Sequence, residues 1–396
     1  MKFRSWALIL LAAAPFLDGC AAFWAAPAGS TGGGCTTGCS TAGSGFFYIL
    51  NAPSGGTPQV VGEQFISGKV TAITGGTVTM PAVPYAMAVS PNGNFLYVST
   101  AGGVYVYPVT SGALGTASQV SSDATALAIQ VDPSGDWLIE ALQSTGGVII
   151  AAVPLNTSNG TPNGTEQSTT ASITNATIPD GKMVISPDDK YIFIALGAGG
   201  TIIVPFNANA ASGTTPFGSS AQTVAVAHSS GSALSVAVDP GSTPRLFYIG
   251  ETLANTAGTS GGLRVFEYSS IGSGTLVQAS GSPIASGGLA PNSILPVGSS
   301  YVYVANGAGT SPGNITSFAI TTSGSTYTIA TGSTADAGID PYALAEDGTD
   351  TYLLAVNQGG STYFSSYTFN STTAGELVDQ VFTNTGTTPL AIVAVP

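Results

Sequence analysis

The chain has 396 residues and a formal net charge of −13, with 43% hydrophobic and only 7% charged residues, where an ordinary globular protein carries roughly 25% charged. Its seven Lys and Arg residues are too few to neutralise a run of phosphates, which excludes nucleic-acid binding, and the apolar content excludes intrinsic disorder. Ser, Thr, Gly and Asn fill the positions where long helices would need Glu, Lys, Gln and Arg, so the pattern predicts an all-β protein.

Residues 1–19 read as a signal peptide. Lys2 and Arg4 precede an apolar stretch over residues 6–16, which is too short to span a hydrocarbon core of about 30 Å. The run Leu17-Asp18-Gly19-Cys20 resembles a bacterial lipobox, which implies lipid attachment at Cys20. Such an anchor holds through its buried methylenes, each contributing about 0.8 kcal/mol. Ala21 after Cys20 is compatible with sorting to the outer membrane, on its periplasmic or its surface side. Cleavage among the alanines of residues 21–26 is the alternative, and would release a soluble secreted protein. Residues 20–44 are rich in Gly, Ala and Thr and predict a flexible tether. With Cys20 lipidated, Cys35 and Cys39 remain as an even pair, a possible disulfide in an oxidising compartment. Zinc would need a second ligand pair, and His228 is the sole histidine, so neither a metal nor a cofactor is expected.

From residue 45 to 396 the chain repeats. Each unit is an apolar strand, a tight turn and a strand rich in aromatic and β-branched residues, as in Tyr85-Ala-Met-Ala-Val-Ser-Pro-Asn-Gly-Asn-Phe-Leu-Tyr-Val98. The turn is marked by Pro91, Pro133, Pro187, Pro240, Pro296 and Asp347, at gaps of 42 to 56 residues. Pro fixes φ there, and the Asn, Gly or Asp that follows tolerates the tight backbone. Asp188-Asp189 falls in one such turn and reads as turn chemistry rather than as a ligand pair. A period near 50 with alternating strands predicts propeller blades. Phe46-Phe-Tyr-Ile-Leu50 looks like a second strand lacking its first, and the segment from Pro389 to Pro396 like a first strand with nothing after it. Pairing the two gives seven blades and closes the ring.

The run from Pro84 to Val98, together with Tyr301-Val-Tyr-Val-Ala-Asn306, resembles seven-bladed propellers of the lactonase and YVTN-repeat kind, some of which are similar to 6-phosphogluconolactonase. The resemblance covers residues 45–396 and implies a site of His, Glu and several Arg around the channel mouth. The propeller region has two arginines, Arg245 and Arg264, which is little positive charge for a phosphorylated sugar acid. His228 lies on the connection into the fifth blade, Glu251 follows that blade's second strand, and Arg264 opens its third. As general base, orienting carboxylate and oxyanion partner, these three would suffice for ester or lactone hydrolysis. The primary expectation is nevertheless a lipid-anchored binding or scaffold module of the cell envelope, whose partner is a small molecule, a glycan or an envelope protein. A lactone hydrolase is the first alternative. An adhesive or surface-coat subunit is the second, favoured by the near-absence of charge.

Overall fold

The computed structural model describes residues 45–396, apart from residues 67–68, 212, 255–257, 259, 308, 325 and 384–387. The signal peptide, Cys20, the tether, Cys35 and Cys39 lie outside the described residues. Within the described residues the only helical element is the 3-10 turn Tyr268–Ser270, and no helix is long and apolar enough to cross a membrane.

The strands of the described residues fall into six antiparallel sheets. Each begins at an inner strand and works outward. The inner strands are Pro84–Val89, Ala126–Val131, Met183–Ile185, Ala233–Val238, Ala290–Val297, the last part of the long strand Thr326–Glu346, and Pro389–Ala394. Each lies against the next, and Thr326–Glu346 lies against Pro389–Ala394, which in turn meets Pro84–Val89. The inner strands therefore surround a central channel, the arrangement of a β-propeller. Pro389–Ala394 pairs with Phe46–Asn51, Phe47 opposite Ala394 and Ile49 opposite Ile392, so the last strand of the chain completes the sheet begun by the first.

The expected seven discrete blades need correction. Five sheets of four or five strands stand alone, whereas residues 290–383 form one seven-stranded sheet. Its middle strand, Thr326–Glu346, pairs through its first part with Pro312–Ser323 and through its last part with Tyr352–Gly359, and Ile339 is opposite both Pro312 and Gly359. The outer strand of one repeat thus runs into the inner strand of the next without a break in the ladder. Pro296 is also not a turn residue: it lies within Ala290–Val297, opposite Val302.

The other turns share one device. The residue just after the inner strand is Ser90, Asp132, Ser186, Asp239 or Asp347, and its side chain accepts a hydrogen bond from the first residue of the second strand: Phe95 N at 3.0 Å, Trp137 N at 2.7 Å, Tyr191 N at 3.0 Å, Leu246 N at 3.2 Å and Tyr352 N at 2.6 Å. Asp189, at φ 57°, occupies the left-handed position of its turn, while Asp188 accepts from Ser186 Oγ at 2.8 Å. The core lies between sheets, where the second strands meet. Tyr48 donates to Gly112 O at 2.8 Å, Tyr97 to Gly160 O at 2.9 Å and Trp137 Nε1 to Ala208 O at 2.9 Å, each tying one sheet to a loop of the next. Phe47 stacks on Phe364, and Phe193 packs on Phe247, both at 5.2 Å between centroids.

Glu140 breaks the apolar pattern of the second strands. It occupies the slot filled elsewhere by Ile49, Val98, Ile194, Ile249 and Val304 and is fully buried. One oxygen accepts from Ser121 Oγ at 3.0 Å and the other has no partner. Burial pushes its carboxyl from the ordinary 4.5 up to about 8.

Both the turn device and the buried carboxyl can be tested by unfolding. Asp347→Ala strips the acceptor from Thr351 N and Tyr352 N and should cost about 1–3 kcal/mol in denaturant unfolding, whereas Asp347→Ser, which restores the side chain used at Ser90 and Ser186, should cost less. For Glu140 the folded chain holds a proton that the unfolded chain releases, so its stability contribution is full below pH 4.5 and is lost as pH rises through about 8. Glu140→Gln should therefore gain on the wild type by up to about 1.4 kcal/mol per pH unit across that window, measured as unfolding midpoints from pH 5 to 9.

Candidate functional site

The three residues expected to form a hydrolytic site lie on the fifth sheet or its approach, and the structure joins two of them. Arg264 Nη1 donates to Glu251 Oε1 at 2.8 Å and to Ala225 O at 2.7 Å. Glu251 Oε2 accepts from Ala227 N at 2.9 Å. Both side chains are buried, and the guanidinium lies 4.9 Å from the centroid of Phe266. His228 is half-buried on the loop before Ala233–Val238, where its Nδ1 accepts from Ser230 N at 3.3 Å. Among the described residues no hydrogen bond or ion pair links His228 to Glu251 or Arg264.

The position of Glu251 has counterparts in other repeats. As the sixth residue of its second strand it corresponds to Asn51, Thr100, Asn306 and Asn357. Thr100 Oγ1 donates to Gly103 O at 2.9 Å, Asn306 Nδ2 to Ser286 O at 2.8 Å, and Asn357 Nδ2 to Thr362 O at 3.1 Å. At these three positions the polar side chain fastens a loop, as Glu251 does for residues 225–227, whereas the buried amide of Asn51 makes no hydrogen bond among the described residues.

A second cluster, not anticipated from the sequence, lies in the channel. Four residues before the turn residue, the inner strands carry Ala86, Ala128, Ser235 and Ala343, but the fourth sheet carries Lys182. Its ammonium is buried. Nζ donates to Tyr342 O at 2.9 Å and lies 4.1 Å from the centroid of the Tyr342 ring, a cation–π geometry. Tyr342 belongs to an inner strand three places away around the channel, so this contact crosses it. Asp340 accepts from Asn292 Nδ2 at 3.2 Å, and Gly307 leaves the space they occupy, since a Cβ there would collide with Asp340 and with Asn292 Nδ2.

Burial pushes the Lys182 ammonium down to about 7, with Asp180 and Asp340 opposing the shift. It pushes the Asp180 carboxyl up to about 6, opposed by Lys182, and raises Asp340 as well. Ion pairs among the described residues form at Lys190–Asp188, Arg245–Asp239 and Arg264–Glu251, not at Lys182. Asp180, Lys182 and Gln130 line a cavity of about 210 Å³ in the channel, with Met87, Ile129 and Leu390 among its apolar walls. Aligning the repeats reveals a cation in a slot for small residues; the crossing to Tyr342 is visible only in three dimensions.

No family model matches the sequence, and no curated protein does. Solved structures do resemble it. The periplasmic gluconolactonase of Pseudomonas aeruginosa is 17% identical with a TM-score of 0.65, over 89% of this chain and 100% of that one. A candidate 6-phosphogluconolactonase from Bacteroides fragilis is 15% identical with a TM-score of 0.64, over 90% and 99%. A functionally unknown protein from Desulfotomaculum acetoxidans is 11% identical with a TM-score of 0.61, over 88% and 98%. At these identities the likeness shows the fold: an all-β propeller.

Breaking the buried ion pair should be costly. Glu251→Gln leaves Arg264 uncompensated and should lower stability by about 3–5 kcal/mol, whereas His228→Ala should stay within about 0.5 kcal/mol of the wild type, both read by denaturant unfolding.

Proposed function

We propose that the chain is an exported, lipid-anchored propeller of the cell envelope that binds its partner at the channel face. The observation that carries this reading is the commitment of Glu251: both its oxygens are occupied, by Arg264 and by Ala227 N, which suits a fastened loop better than a hydrolytic centre. The sequence features at Cys20 support the anchor, and the likeness to the periplasmic gluconolactonase of Pseudomonas aeruginosa supports export. Residues 290–383 are read as two sectors, since Asn306 and Asn357 repeat the same loop-fastening position; with the five discrete sheets this makes seven.

The second reading is a lactone hydrolase using His228, Glu251 and Arg264, favoured by the fold shared with the two lactonase neighbours. The purified full chain, assayed on sugar-acid and simple lactones, should give no turnover above background. Turnover abolished by His228→Ala would replace binding by hydrolysis. Cys20→Ser should abolish fatty-acid incorporation and move the protein out of the membrane fraction; retention of both would remove the anchor.

A further inference from the structure

We propose that the channel cavity beside Lys182 is a seat for one neutral, polyhydroxylated ring, with Asp180 accepting from its hydroxyls, Lys182 donating to them and Gln130 doing either. The inference rests on the binding reading above and adds the place and the ligand class. Three observations carry it.

The first is unspent hydrogen-bonding capacity. An ammonium has three donor hydrogens, and among the described residues Nζ of Lys182 gives one, to Tyr342 O. The carboxylate of Asp180 and the amide of Gln130 have no hydrogen bond within the described residues, yet all three line the same cavity. A hydroxyl both donates and accepts, so neighbouring hydroxyls on one ring can satisfy a carboxylate and an ammonium together.

The second is the slot itself. Ala or Ser serves at this position in four other inner strands, and burying an ammonium there is unfavourable unless it is paired. Its presence is not required to build an inner strand. The third is charge and size. Asp180 and Asp340 outnumber Lys182, and the chain is strongly acidic, so the local field disfavours carboxylates and phosphates. A cavity of about 210 Å³ lies below the range of about 300–1,000 Å³ typical for drug-sized ligands, which limits the occupant to about one ring.

The test is calorimetric titration of the purified full chain with glucose, myo-inositol, gluconate and 6-phosphogluconate. Glucose or myo-inositol should bind, the two anions at least tenfold more weakly. Lys182→Ala, which installs the residue used by other sheets and so should fold, and Asp180→Asn should each weaken binding at least tenfold, while Lys190→Ala, at an exposed turn lysine outside the cavity, should leave it unchanged. Absence of binding by both neutral compounds at millimolar concentration overturns the seat, as does an affinity that neither channel substitution alters or a preference for an anion. The broader binding reading fails separately, through the lactone turnover described above.

Discussion

A short polar side chain just after the inner strand, accepting from the first N–H of the second strand, underlies much of the remaining geometry. Ser90, Asp132, Ser186, Asp239 and Asp347 each make that bond. By closing the turn they set the register of the two strands, and strand register decides which side chains face the neighbouring sheet. The side chains of Tyr97 and Trp137 consequently point at loops of the next sheet, and Lys182, Ser235 and Ala343, each four places before its turn residue, line the channel cavity. Once these local bonds are in place, the packing between sheets follows from alternation along each strand.

The repeat is legible in the sequence because its signals are local. Pro, Gly and Asp in a turn and alternate aromatics in the following strand act within about fifteen residues. The pairing of the terminal strands is legible as well, since each lacks its neighbour in the sequence. The joining of residues 290–383 into one sheet is not, because it depends on a connection tight enough for Ile339 to pair on both sides. Pro296 misleads for a related reason: it resembles a turn marker but lies inside a strand.

The candidate site divides in the same way. Glu251 and Arg264 are neighbours across a strand pair, and their proximity can be inferred from the repeat; what cannot be read without the structure is that they satisfy each other and the adjoining backbone. Aligned repeats show the lysine at position 182 as a cation in a slot for small residues. Its meaning depends on Tyr342, 160 residues away in the chain but opposite it across the channel.

The pairing of Phe46–Asn51 with Pro389–Ala394 bears on the order of folding. The first strand of the propeller cannot receive this partner until the last residues have been synthesised and delivered. Until then its inner edge, with the backbone groups that later bond to Pro389–Ala394, is unpaired. Contacts so distant in sequence carry a large loop-closure cost and form slowly. The sheets composed of consecutive strands can assemble as they emerge, while the sheet of Phe46–Asn51 is completed only when residues 389–394 arrive.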